Sequence, residues 1–145
     1  MTNQAIACGL LAALCCLQGL ATLVIDLNRT HATNPEWPGH ARFHLVWQAS
    51  AFAWLAPLEV VLILAAGPFQ EQRFYLAAIL AGIPMIGCMV AYLFRKIYGG
   101  TLINPNGIPP MEIAWFGSDI PIDLNLATEV TALPMLMGTV ALYSY

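Results

Sequence analysis

Residues 74–94 read Phe-Tyr-Leu-Ala-Ala-Ile-Leu-Ala-Gly-Ile-Pro-Met-Ile-Gly-Cys-Met-Val-Ala-Tyr-Leu-Phe, an uncharged run with Arg73 before it and Arg95-Lys96 after it. At a rise of ~1.5 Å per residue, a helix of this length crosses the ~30 Å hydrocarbon layer of a bilayer. Its flanking cations belong among the headgroups. Residues 73–95 are therefore read as one membrane span, and the same signature recurs on both sides. Ala66-Gly67-Pro68-Phe69-Gln70-Glu71-Gln72 is a tight turn, and before it residues 42–67 form a span interrupted by Glu59. Residues 4–27 form another, with no Asp, Glu, Lys or Arg ahead of Asp26. Residues 121–143 make the fourth, with Glu129 its only carboxylate after Asp123. The expected fold is all-α: a four-transmembrane-helix bundle forming a single integral membrane domain over residues 1–145.

Composition agrees with this reading. Of 145 residues, 59% are hydrophobic and 9% charged, whereas soluble domains carry roughly 25% charged residues. An ordinary globular protein is excluded. Five Lys+Arg against eight Asp+Glu give a net charge of −3, and the absence of a basic tract argues against DNA or RNA as partner. Met-Thr-Asn-Gln offers no positive n-region, and the apolar run after it exceeds the ~7–15 residues of a signal-peptide core, so it reads as a span. Cys8, Cys15, Cys16 and Cys88 all fall within spans, where cysteine behaves as a small apolar residue. No disulfide framework is expected, and adjacent Cys15-Cys16 lacks the C-x-x-C spacing of a thiol oxidoreductase of the vitamin-K-reductase type. Ala12-Ala13, Ala77-Ala78 and Gly82 suit close helix packing.

Two connections, Asn28 to Gly39 and Tyr98 to Ile120, are long and polar. Gly99-Gly100, Asn104-Pro105-Asn106-Gly107 and Pro109-Pro110 prevent the second from being helical throughout. With four spans, both long loops lie on one face, and the termini and the short turn lie on the other. The loop face holds Arg29, Arg42, Arg95 and Lys96 against Arg73 opposite, so the positive-inside rule puts the loops in the cytoplasm and the termini outside. Asn28-Arg29-Thr30 matches a glycosylation sequon, which matters only in a lumenal loop.

All three histidines occur within Asp26-Leu-Asn-Arg-Thr-His-Ala-Thr-Asn-Pro-Glu-Trp-Pro-Gly-His-Ala-Arg-Phe-His44. Pro38 suits a first helical turn, and a helix starting there places His40 and His44 one turn apart on one face. At ~100° per residue, Gln48 and Glu59 fall within about 60° of His44 around the axis, forming an inward stripe. Glu59 sits well inside hydrocarbon, where an ionised carboxylate is costly. It reads either as a buried structural carboxyl or as a functional group. Asn125 and Glu129 share a face of the fourth helix, Glu129 lying roughly 12 Å below the loop surface. The first span adds Gln18, Thr22 and Asp26; the third adds Cys88, Tyr92 and Arg95. Four polar stripes ending at one face are expected to converge on a common cavity, since polar groups facing lipid have no partners. In Met111 to Asn125, apolar side chains alternate with carboxylates. Trp115 and Phe116 form either an interfacial belt or a lid over the cavity, as long loops without secondary structure are often functional.

The motif Asp26-x-Asn28-x-Thr30-His31-x-x-Asn34-Pro35-x-Trp37-Pro38-x-His40-Ala41-Arg42-Phe43-His44 resembles a family of small four-span bacterial and fungal membrane proteins of unknown function. The resemblance covers under a fifth of the chain. It implies the four-span architecture and the importance of His31, His40, Arg42 and His44, and brings no established activity. In layout alone the chain also looks like sterol isomerases of the EXPERA type and the glutathione-linked MAPEG enzymes, whose motifs it lacks.

Three functions are consistent with these residues. The first is a membrane enzyme performing acid/base chemistry, such as isomerisation, cyclisation or hydration, on an apolar or lipid-like small molecule. Its expected catalytic residues are His40, His44, Glu129, Arg95 and Glu59. Asp26, His31, Asn34, Trp37, Arg42, Gln48, Tyr92, Trp115 and Asn125 are expected to bind substrate. The second is a metal protein in which His31, His40 and His44 ligate zinc, copper or iron, although no cofactor is firmly implied. The third is a non-catalytic accessory or assembly subunit of a larger membrane complex, or a homo-oligomer. Transport is disfavoured because four helices without a repeat do not enclose a pathway alone.

Overall fold

The computed structural model describes residues 2–115 and 118–145. Four helices, α1 (Asn3–Asp26), α2 (Gly39–Leu64), α3 (Gln70–Phe94) and α4 (Leu124–Ser144), are joined by two long connectors and one short turn. Each helix is long and apolar enough to cross a membrane. α1 and α3 each pack against α2 and α4 and scarcely meet across the diagonal. The result is an up-down-up-down bundle whose outer surface carries large apolar side chains such as Leu17, Val24, Trp54 and Leu93. That is the surface lipid requires.

Local chemistry sets the helix ends. Asp123 caps α4 by accepting from Leu126 N at 2.8 Å, and Thr2 caps α1 by accepting from Ala5 N at 3.2 Å. Pro38, whose ring fixes φ, precedes α2. In the short turn, Gly67 and Phe69 adopt positive φ (117° and 63°) to reverse the chain. Arg73 then reaches back, its Nη2 donating to the carbonyls of Ala65 (2.6 Å) and Gly67 (3.4 Å). The first belongs to the C-cap of α2 and the second to the turn itself, so one guanidinium serves carbonyls that have no helical partner.

The spans differ slightly from expectation. α2 starts at Gly39 and α3 at Gln70, and α4 starts only at Leu124. The later start has a specific cause: the segment read as irregular is an antiparallel hairpin, β1 (Met111–Trp115) and β2 (Ser118–Ile122). Its register pairs Met111 with Ile122 and Ile113 with Ile120, whereas Glu112 faces Pro121 and Ala114 faces Asp119. Opposed residues share a face, so one face is apolar and the other carries the carboxylates. The alternation seen in the sequence was a strand period.

Packing is uneven along the bundle axis. The core gathers at the end holding the termini and the short turn, from Leu11 and Cys15 of α1, Ile63 of α2, Phe74 and Ala77 of α3 and Tyr143 of α4. Phe74 and Tyr143 stack with ring centroids 3.8 Å apart and planes 11° from parallel, and Tyr75 Oη meets Ser144 Oγ at 3.2 Å. Midway along, α1 and α2 approach so closely that a Cβ on Gly19 would lie 2.6 Å from Ala56 Cβ. Beyond that contact, toward the long connectors, a cavity opens among the four helices.

Candidate functional site

The connectors are ordered by asparagines. Asn28 Oδ1 accepts from Thr30 N (2.8 Å) and Thr30 Oγ1 (2.7 Å), and its Nδ2 donates to Val24 O. Asn34, only 2% exposed, donates from Nδ2 to Thr30 O (3.2 Å) and to Asn106 O (3.1 Å), and accepts from Glu36 N at 3.0 Å. This side chain clasps the two long connectors together. Both of its donors are spent on backbone, so its expected role in binding substrate gives way to a structural one.

His31 sits on this frame. Its Nδ1 lies 2.8 Å from Thr30 Oγ1. With the Thr30 hydroxyl proton directed to Asn28 Oδ1, the hydrogen of that contact belongs to Nδ1, and Nε2 keeps the lone pair. The His31 ring meets the Trp37 indole edge-on, with centroids 5.3 Å apart, and lies close enough to Asp26 to interact with its charge. Trp37 Nε1 is buried with no hydrogen-bond partner among the described residues.

Below this frame is a cavity of about 660 Å3 to which all four helices contribute. Its polar walls are Asp26, His31, Gln48, Asn125 and Glu129, together with Trp37 and Cys88; Leu45, Phe52, Ile83 and Pro84 supply apolar surface. Gly87 also lines the space, and a Cβ there would meet nothing within 4 Å. Glu129 is nearer the connectors than expected. Because α4 begins at Leu124, the carboxylate lies only ~7.5 Å along the helix from its start. Gln18 does not open into the chamber, since its Nε2 bridges to Ala81 O at 3.4 Å.

Two smaller cavities adjoin the chamber and share Asn125 with it. One, about 280 Å3, is bounded by His31, Trp37, Asp123 and part of the segment from Thr101 to Ile108. The other, about 210 Å3, holds Tyr92, Arg95 and Asp123. Arg95 lies over the Tyr92 ring at 4.1 Å and donates from Nη1 to Tyr92 O at 2.7 Å. Tyr92 and Arg95 thus belong to a side recess and not to the main chamber.

Several expected members lie elsewhere. His40 and His44 do pair, Nε2 to Nε2 at 3.1 Å, but both are exposed and neither lines a described cavity. Helical phase explains this: at ~100° per residue the inward face of α2, marked by Ala49, Ala56 and Ile63, lies about 100° or more around the axis from them. Glu59 does face inward and is 2% exposed, but it lies in the half of α2 nearer the short turn, away from the chamber. Arg42 stays beside the start of α2 and lines no described cavity, its Nη2 4.0 Å from where a Cβ on Gly39 would lie. The three histidines therefore do not converge as zinc, copper or iron ligands. Among the described residues, no group of three or more His, Cys, Asp or Glu is placed to hold a metal ion. The Trp115 side chain and Phe116, offered as a lid, lie outside the described residues. The observed roof over His31 and Asn125 includes Thr101, Asn104 and Gly107. Sequence reasoning missed this segment, although Asn104-Pro105-Asn106-Gly107 announced an ordered turn there.

No family model matches the chain, and neither a curated protein nor a solved structure matches it.

Proposed function

We propose that this protein is an integral membrane enzyme that transfers protons on an apolar, lipid-like small molecule held between its four helices. The observation that carries the reading is the cavity of about 660 Å3 in which His31, Asp26, Asn125 and Glu129 share walls with apolar side chains. Imidazole and carboxyl groups are the usual side chains for general acid/base work. His31 Nε2 takes a proton from one substrate atom while the protonated Glu129 carboxyl returns one to another. Proton return from His31 to Glu129, directly or through water, then resets the site. The net change is an isomerisation, and a ring closure or water addition needs the same pair. Asn125 and Gln48 orient the polar end, and Arg95 with Tyr92 receives any group that extends into the side recess. His40 and His44, first expected at the catalytic centre, have no part in this scheme. The cationic excess at the connector end favours a cytoplasmic location for the mouth of the site.

The test starts from protein purified in mild detergent, with its bound small molecules extracted and identified by mass spectrometry. Wild type should carry an apolar compound, and Gly87→Leu, which adds bulk at a chamber wall where a Cβ meets nothing within 4 Å, should lose most of it. His31→Ala and Glu129→Gln should retain the compound and fail to convert it. Equal occupancy in wild type and Gly87→Leu, or undiminished conversion by both polar variants, would defeat the proposal.

A second reading, an accessory subunit of a larger complex or a homo-oligomer, has one feature in its favour. Phe43, His44 and Trp47 form a mutually contacting aromatic group on the outer face of α2, where Trp54 is also exposed.

A further inference from the structure

The chamber is not closed toward the bilayer. A cavity of about 370 Å3 between α1 and α4 shares Asn125 and Glu129 with it and is otherwise bounded by residues such as Leu17, Ala21, Thr128 and Met135. Farther along the same α1–α4 seam is a third space of about 220 Å3, bounded by Leu10, Leu14, Met135, Gly138 and Thr139, with Leu14 and Met135 common to both. From Ile25 to Leu10 the groove follows α1 for ~22 Å, much of the depth of the hydrocarbon layer. Leu17 and Met135, on its two banks, are 66% and 61% exposed, so its long side faces lipid.

Its chemistry specifies a guest. The hydroxyls along it are spent on their own helix: Thr128 donates to Leu124 O (2.8 Å), Thr131 to Ala127 O (3.0 Å) or Thr128 O (2.9 Å), and Thr139 to Met135 O (2.8 Å). What remains toward the groove is mostly methyl and methylene surface, with the Gln18 amide on the α1 bank, its Nε2 donating to Ala81 O at 3.4 Å. No Lys or Arg lines it, and the polar group at its inner end is the Glu129 carboxyl beside Asn125. An anionic headgroup would find no cationic side chain there to offset its charge.

We infer that the α1–α4 groove is the tail subsite and lateral portal of the chamber, and that the ligand is a neutral amphiphile with one long apolar chain. Its hydrogen-bonding head lies at Asn125 and Glu129 and its chain runs toward Gly138. This deepens the enzyme reading and rests on it for the head group's fate, but the binding claim is testable alone. Gly138 marks the far end of the groove, and a Cβ there would meet nothing within 4 Å. Gly138→Leu therefore plugs the end while raising helix propensity. Gly9→Leu is the matched control, also open at Cβ and bordering no described cavity.

The probes are n-alkan-1-ols of graded chain length and alkyl phosphates of matching length. Binding is read as thermal stabilisation of the detergent-solubilised protein, since a ligand that binds only the folded state raises its apparent stability. For wild type and Gly9→Leu, stabilisation should grow with alkanol length until the groove is full, and the phosphates should bind more weakly. In Gly138→Leu the longest alkanols should bind about tenfold more weakly, as expected when two methylene groups lose their seat, with short ones unaffected. Binding without chain-length dependence, an identical plateau in Gly138→Leu, or a preference for phosphates would each overturn the inference. If the plateau shifts as expected while His31→Ala leaves turnover intact, the tail subsite stands and the acid/base reading alone falls.

Discussion

At the level of single residues, position around a helix axis decides more than residue type. His40, His44 and His31 have the same chemistry, but His31 alone faces the chamber because an Asn28–Thr30 turn carries it back over Asp26. The concentration of histidines was legible in the sequence; the rotation of α2 that turns two of them outward was not. That rotation is set by small residues. Gly19 and Ala56 meet where α1 and α2 are closest, and Ala49 and Ala56 mark the buried face. Gly19→Val should force the helices apart and destabilise the protein by roughly 1–3 kcal/mol, the usual cost of overpacking. Adding Ala56→Gly should recover part of the loss. Thermal unfolding of the two single variants and the double variant measures this, and additive effects would show that the contact is not shared.

Among the elements, the four helices were the readable part because an apolar run of bilayer length admits few other structures. The hairpin was harder. Two five-residue strands give too short an alternation to separate from a patterned loop, and pairing across a turn is invisible to a local window. The connectors were least legible, since their order comes from contacts between segments distant in sequence, above all Asn34 to Asn106. Asn34→Ala should cost about 1–3 kcal/mol by stranding buried backbone partners. Amide exchange should accelerate over 28–38 and 101–108 together while α1 to α4 keep their protection. Faster exchange in one connector alone would mean that the clasp does not couple them.

For the molecule as a whole, the buried core gathers in one half of the bundle and the cavity shared by all four helices lies in the other. The polar stripes that end at one face foretold the cavity half, and its main polar residues, Asp26, Gln48, Asn125 and Glu129, were legible from four-residue spacing. Only the coordinates could show that Arg95 and Tyr92 stand in a side recess and that Glu59 belongs to the core half. Orientation in the membrane gives a separate prediction. With four cationic side chains at the connector end and Arg73 at the other, Thr33→Cys should react with a membrane-impermeant maleimide from the cytoplasmic side and Phe69→Cys from the opposite side. The reverse labelling pattern would invert the topology.

The face-to-face rings of Phe74 and Tyr143 act as a fulcrum. Asn125 stands ~27 Å along α4 from Tyr143, with Pro134 between them, so a few degrees of tilt at the rings would become a displacement of an ångström or more at the far tip. Substitutions at the two rings are therefore expected to alter the aperture open to a guest from the opposite pole of the molecule.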